Sequence, residues 1–384
     1  MPTENTSPIY LDYMASTPID PQVIVAMLPY MSSLYGNPAS KHHYGVVANE
    51  AIETARAQVA EAIHAPASQI YFTAGATEAS NIALTGAAHF YQRSGKHIIT
   101  TSIEHVATLN TCKALEKSGF DITYLTPDAQ GMIHPEAVQA ALRPDTILVS
   151  ICHVHNEIGV IQDIASIAHI VAQSGALLHV DAAQSIGKAP LDVQHLPISM
   201  LSLSAHKCFG PKGVGALYLR AAPRIHLHAI LHGGGQEHHI RPGTLATHQI
   251  VGMGAAYAKM HHGFEAHFAV VKARYEQLLS GILTIPGAHI NGALDRRVPH
   301  NLSVYFTDID GKTLHQTLAP ICAVSSGSAC NAHEIKTSHV LRAIGRSTVE
   351  ANATIRFSLS HCTTEAEIAQ TIQALTQVVE RLRT

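Results

Sequence analysis

From about residue 45 to residue 220, apolar positions switch repeatedly between a helical and an extended period. In NEAIETARAQVAEAIHA, Ile52, Val59 and Ile63 fall on one helical face. QIYFT follows as a short strand and GATEASNIALTGAAHFY as the next helix. KHIITTS and FDITYLT read as strands, HPEAVQAALR as a helix with Pro135 near its start, and TILVSIC as an apolar run of strand length. DIASIAHIVAQSG is bounded like a helix, with Asp163 placed to cap it and Gly175 just past its end. ALLHVD, ISMLSLS and GALYLR complete the series as strands. Strands apolar on both faces, alternating with helices, predict an α/β fold with a mainly parallel sheet wrapped by helices.

Beyond about residue 258 the pattern shifts to long helices and alternating strands such as NLSVYF and TIRFSLS. The last helix opens on a capping box, Thr364 with Glu367, and sets Ile368, Ile372, Leu375 and Val379 on one face. This predicts a second, smaller α+β domain. No internal repeat or low-complexity tract interrupts either region.

Composition narrows the function classes. Charged residues make up only 14% of the chain, against roughly 25% in an average globular domain. That suits a sheet covered on both faces and a further surface buried in an oligomer. A net charge of −3 leaves no basic footprint for nucleic acid or an anionic membrane. The six cysteines, at 112, 152, 208, 322, 330 and 362, form no CxxC pair. The opening MPTENTSPIYLDYMAS lacks a basic segment followed by an apolar one, and no apolar run reaches the ~18 residues of a membrane span. Free thiols in a reducing cytoplasm are the expectation. The 28 histidines make net charge sensitive to pH near neutrality.

Ligands of open α/β sheets bind beyond the carboxyl ends of the strands. The polar residues there are Thr77 with Gly75 and Ala76, His105, Asn156, Asp181 with Gln184, and Ser204-Ala205-His206-Lys207. Such a set suits a flat, heteroaromatic, phosphate-bearing ligand. Lys207 could condense with an aldehyde while Asp181 holds a pyridinium nitrogen protonated, the two needs of pyridoxal phosphate chemistry. The plainer alternative is an ion pair, or a solvated loop lysine. GATEAS offers helix N–H groups to a phosphate, although many such turns bind nothing. His105 could stack on a ring or simply satisfy local hydrogen bonds. Arg356 could grip a carboxylate or be an ordinary exposed strand arginine. HVH at 153–155 and the histidine pairs at 42–43, 238–239 and 261–262 lack carboxylates or cysteines at zinc spacing, so they read as surface or loop residues.

Taken together, the segments PIYLDYMASTP, YGNPAS, FTAGATEASN, EHVA, LVSICHVHNEIGVIQDI, HVDAAQSIGK, SAHKCFGPKGVGALY, GGGQE, RPGTLATHQIVGMG, AVSSGSAC, VLRAIG and IRFSLS occur in that order along the chain. In them the chain resembles the cysteine desulfurases of the iron–sulfur-cluster-assembly type, class V pyridoxal-phosphate enzymes of fold type I. The resemblance implies a large cofactor-binding domain at 16–257. It also implies a small domain from 1–15 and 258–384, carrying a mobile cysteine loop at about 323–337.

The resemblance also implies roles. Lys207 would hold pyridoxal 5'-phosphate covalently, Asp181 would pair with its ring nitrogen and His105 would stack on the ring. Asn156 and Gln184 would contact ring substituents. Ala76, Thr77, Ser204 and His206 would hold the phosphate, with Thr244 reaching the phosphate of a partner subunit. Arg356 and Asn37 would bind the substrate carboxylate. Cys330, among the small residues of SSGSAC, would be the nucleophile that takes sulfur from L-cysteine, and also a transient iron–sulfur ligand shared with a scaffold. No resident metal is implied. The expected partners are a second copy of the chain and a sulfur acceptor, either an iron–sulfur scaffold or a tRNA-thiolation carrier. Cys208, directly after the cofactor lysine, reads as packing. A class V selenocysteine lyase or aminotransferase would share Lys207 and Asp181, and a non-catalytic histidine-rich metal-binding protein is the alternative of a different class.

Overall fold

A computed structural model describes residues 7–326 and 337–383. Its central sheet has seven strands, and they are the seven that the apolar runs predict. In spatial order they are Ile70–Thr73, Gly215–Leu219, Met200–Ser204, Leu177–Asp181, Thr146–Cys152, His97–Thr101 and Asp121–Leu125. Gly215–Leu219 is antiparallel to both neighbours; the other six point the same way.

Alternate residues of each strand enter different cores, as a two-residue period requires. Val149, Ile151, Leu178 and Val180 join a cluster with Ile52, Val59, Ile167 and Tyr257 on one side of the sheet. Ile98, Leu148, Met200 and Leu217 join Ile82, Ala83, Ala87 and Leu115 on the other. The edge strand Asp121–Leu125 is the most open, with no residue fully buried, whereas the other six are buried at all or all but one position. On the first side the helices His43–Glu61 and Thr247–His262 lie against each other. A Cβ on Gly254 would stand 2.6 Å from Ala55 Cα, so glycine is what lets these backbones approach.

The helix caps follow their residue types. Asp163 accepts from the Ser166 N–H at 3.1 Å, and Gly175 closes the same helix with φ of 80°. Thr364 and Glu367 exchange the two bonds of a capping box at 3.2 and 2.7 Å. The helix expected over HPEAVQAALR runs only from Pro135 to Ala141. Pro144 disfavours helical geometry in Arg143 before it, and the chain leaves the helix two residues earlier.

A second, antiparallel sheet orders Ser325–Ser326, Thr354–Ser358, Asn301–Phe306 and Ala288–Ile290. One face carries Leu302, Val304, Phe306, Ile355 and Phe357 against Leu278 and Ile282 of the helix Phe264–Leu283 and Leu375 and Val379 of Glu365–Arg383. The alternation of NLSVYF and TIRFSLS suggested an exposed opposite face. Instead, Asn301, Ser303, Thr354, Arg356 and Ser358 are buried there. They face the central-sheet region with hydrogen bonds: Asn301 Nδ2 donates to Glu157 O at 3.3 Å, and Ser358 Oγ accepts from Met14 N–H at 3.0 Å. Near the N-terminus, Ile9–Tyr10 pairs in parallel with Cys322–Ala323 before the chain crosses to the cavity between the sheets.

Candidate active site

At the carboxyl ends of the central strands lies a cavity of about 1160 Å³. It gathers residues that are far apart in sequence: Ala76, Thr77, His105, Asn156, Asp181, Gln184, His206, Lys207 and Arg356 all line it. Five of the parallel strands, all but the edge strand Asp121–Leu125, send residues at or just beyond their C-terminal ends to this rim, which is why strand-end positions hold the chemistry.

Lys207 follows the strand Met200–Ser204, and its Nζ donates to the carbonyls of Met14 and Ala15 at 2.9 and 2.7 Å. An amine held by two carbonyl dipoles is aimed rather than swinging in solvent. Asp181 ends its strand, buried, with Oδ1 accepting from Ala183 N–H at 3.0 Å. Burial pushes its carboxyl up, while that N–H, His105 and Lys207 pull it down. His105 caps the helix Val106–Lys117, and its Nδ1 accepts from Ala107 N–H at 3.1 Å. In the neutral ring the proton therefore sits on Nε2. Desolvation by the surrounding walls holds that ring below the ordinary histidine range, although it is open to the cavity, with Asp181 opposing and Lys207 reinforcing the shift.

An end of the cavity suited to a phosphate is the N-terminus of the helix Ala76–Tyr91. Gly75 precedes it with φ 154° and ψ 175°, no side chain caps it, and no atom lies within 4 Å of where a Cβ would stand. The uncapped N–H groups thus open into the cavity. Gln184 donates from Nε2 to Met14 O at 2.8 Å, while its buried Oε1 has no partner among the described residues. A buried acid beside a neutral imidazole, an aimed lysine, an open helix N-terminus and an unmatched amide oxygen together fit pyridoxal phosphate.

Arg356 is buried, not an exposed strand arginine. Its Nη2 donates to Asp12 Oδ1 at 2.7 Å and its Nη1 to Asn156 O at 3.0 Å, while Nε has no partner among the described residues. Ser204 lies just beneath the cavity wall, buried, its carbonyl accepting from Tyr257 OH at 3.2 Å. Asn37 and Thr244 are exposed and stand outside the cavity of this chain. Cys330 lies outside the described residues.

Of the five described cysteines, none is an activated thiol. Cys112 and Cys208 are pushed up to about 12 by burial, and Cys322 to about 11. Burial also raises Cys152 and Cys362. Cys208 Sγ donates to Ala205 O at 3.3 Å within the core, as its packing role requires. His153 and His155 correct the surface reading of HVH. Both are buried, His153 sharing a 3.0 Å bond with Ser185 Oγ and His155 a 2.6 Å bond with Ile103 O.

Sequence reasoning missed several wall residues. Glu104 is fully buried, accepting at Oε1 from Thr101 Oγ1 at 2.8 Å and from Cys152 N–H at 3.0 Å. Its place at a strand end, directly before His105, was the available signal. Glu157 accepts from Ser338 Oγ at 2.6 Å, and His339 Nε2 lies 3.1 Å from Glu104 O. Ser338 and His339 carried no signal, because only the second sheet's approach brings them to the cavity.

Known proteins share this architecture. The class-V aminotransferase family profile matches residues 9–371. Cysteine desulfurase IscS of Vibrio vulnificus is 50% identical over 98% of this chain and 94% of its own length. Its namesake from Methylococcus capsulatus is 48% identical over 98% and 93%. Among solved structures, a NifS-like protein superposes with a TM-score of 0.91 at 35% identity, covering 98% of this chain and all of the other. SspA in complex with cysteine gives 0.82 at 40% identity, covering 91% of this chain and 98% of the other. With the strand-end lysine, acid and histidine in one cavity, the chain belongs to the class-V aminotransferases, and within them to the cysteine desulfurases of the IscS type.

Proposed function

We propose that this chain removes sulfur from L-cysteine, giving L-alanine and a persulfide on Cys330 that is passed on for iron–sulfur cluster assembly or tRNA thiolation. The observation that supports it most is the convergence of Lys207, Asp181 and His105 in one cavity that a buried Arg356 also lines. Pyridoxal phosphate, when bound, supplies the electron sink of the reaction.

The chain's residues divide the remaining work. Arg356 receives the substrate carboxylate with the donor capacity it does not spend on Asp12 and Asn156. Lys207 anchors the cofactor and, once freed, moves the proton at the substrate Cα. Asp181 would keep the proton on the ring nitrogen, His105 would stack on the ring, and Asn156 and Gln184 would contact its substituents. Ala76, Thr77, Ser204 and His206 take the phosphate, with Thr244 serving the partner subunit's site. Cys330 attacks the substrate sulfur as a thiolate; the electron pair of the broken C–S bond stays with the carbon skeleton, which takes up protons to become alanine. That the described cysteines are buried or raised supports assigning this step to Cys330.

The division into 16–257 and 1–15 with 258–384 is part of the same reading, as is a cytoplasmic homodimer. No described helix is long and apolar enough to cross a membrane. Ile24, Val25, Leu28 and Met31 expose an apolar face on the helix Pro21–Ser32, which supports pairing of two copies. An iron–sulfur scaffold is the proposed acceptor.

The test is a pair of variants incubated with L-cysteine. Cys330→Ser should keep the cofactor's visible absorption and lose sulfide release by about 10³-fold or more. Lys207→Ala should lose the absorption of the covalently held cofactor. Unimpaired desulfuration by Cys330→Ser would sink the nucleophile assignment.

A further inference from the structure

The histidine pair at 261–262 has no carboxylate near it in sequence, yet the fold supplies one. Glu61 is the last residue of the helix His43–Glu61, and His261 and His262 are the last two of Thr247–His262. One ligand atom from each lies within 4.8 Å of the other two, and His262 Nε2 is 3.3 Å from Glu61 Oε1. The ring of His64, just beyond the first helix, is centred 5.7 Å from that of His261.

We propose that Glu61, His261 and His262 form a surface site for a divalent first-row transition metal of the zinc class, distinct from the cofactor cavity. Imidazole and carboxylate are the donors such ions take at about 2.0–2.2 Å. Ligands at that range stand about 3.4 Å apart, so the three need only small rotations of partly or fully exposed side chains. Two helix C-termini converge on the same point, and their partial negative charge favours a cation, offset in part by the N-terminus of Phe264–Leu283 that starts just after Gly263. Lys259, one turn back, is held away by Asp20, 2.7 Å from its Nζ. His64 stands ready as a further imidazole. A bound ion would tie the end of the first helix to the turn at Gly263, where the chain passes into the helix Phe264–Leu283 of the second core.

The experiment titrates holoenzyme with Co²⁺ and reads visible absorption beside calorimetric stoichiometry. In the Cys330→Ser background one equivalent per chain should bind, without the near-ultraviolet absorption of sulfur-to-cobalt charge transfer. Glu61→Gln and His262→Ala should each weaken it by about 10-fold or more. Measured without metal, both substitutions in the otherwise wild-type chain should leave the cofactor spectrum and desulfuration unchanged, showing an intact fold. Undiminished binding in both variants, or no saturable equivalent in the parent, would overturn the site and leave a plain Glu61–His262 contact.

Discussion

Glu104 sits immediately before His105, its Oε1 accepting two hydrogen bonds and its Oε2 without a partner among the described residues. Burial pushes its carboxyl up to about 8, with the Asp181 charge adding to the shift. Near neutral pH the side chain is therefore mostly a protonated acid. A second buried charge beside Asp181 is avoided, leaving Asp181 free to carry the one the ring nitrogen requires. The fold binds this proton more tightly than the unfolded chain does. The stability tied to it is thus complete below about pH 4.5 and drains away as pH rises through about 8. Glu104→Gln keeps the acceptor and has no proton to lose. Its melting temperature should exceed that of the parent by more at pH 9 than at pH 5, the difference reaching at least about 3 °C. Parallel profiles for the two proteins would show that Glu104 is already ionised in the fold.

At the scale of elements, the turn into Ala76–Tyr91 shows how a helix end becomes a binding surface. Gly75 occupies backbone angles open essentially to glycine alone, and the space around its missing Cβ is empty. Gly75→Ala therefore acts through backbone strain, about 1–3 kcal/mol, rather than through a clash. Relief would come by rotating the turn and turning the first N–H groups away from the cavity. The variant should bind pyridoxal phosphate at least about 10-fold more weakly in a spectroscopic titration while its far-ultraviolet circular dichroism stays unchanged. Retained affinity would mean that these N–H groups do not hold the phosphate. The helices themselves were legible from caps and periods: Asp163, Gly175, Thr364 and Glu367 do in space what their types promise. The strand Thr354–Ser358 was legible as a strand, but the fate of its polar face was not. That face is buried by another sheet, and nothing local to TIRFSLS specifies the neighbour.

For the molecule as a whole, the notable investment is in neutral buried histidine. His153 and His155 are depressed to about 4 and His179 to about 3, all by burial. Each is buried with hydrogen-bond partners such as Ser150, Ser185 and Ser202 rather than with counter-charges. The unfolded chain therefore binds more protons than the fold between about pH 6.5 and pH 4, so stability falls as pH falls through that window. Chemical denaturation of the holoenzyme from pH 7 to pH 4.5 should show a steadily dropping midpoint. A flat profile would mean that these rings charge within the fold. The same burial couples the two sheets. Arg356 and Asn301 hydrogen-bond across from the second sheet to Asn156 and Glu157, so the cavity is completed only when the two cores meet.

The linear chain specified its strands, most of its helices and the chemistry at each strand end, because these depend on local period, capping and residue type. It pointed to Lys207, Asp181 and His105 since a parallel sheet sends every strand terminus to one rim. Left to the folded state were contacts across long sequence separations. Glu104 became a neutral acid only through complete burial, and Arg356 became a cavity residue only when Asp12 and Asn156 closed around it. Glu61 came to His261 and His262 only because Gly254 lets two helices approach. Desolvation and long-range contact belong to the packed molecule, and no window of neighbouring residues encodes them.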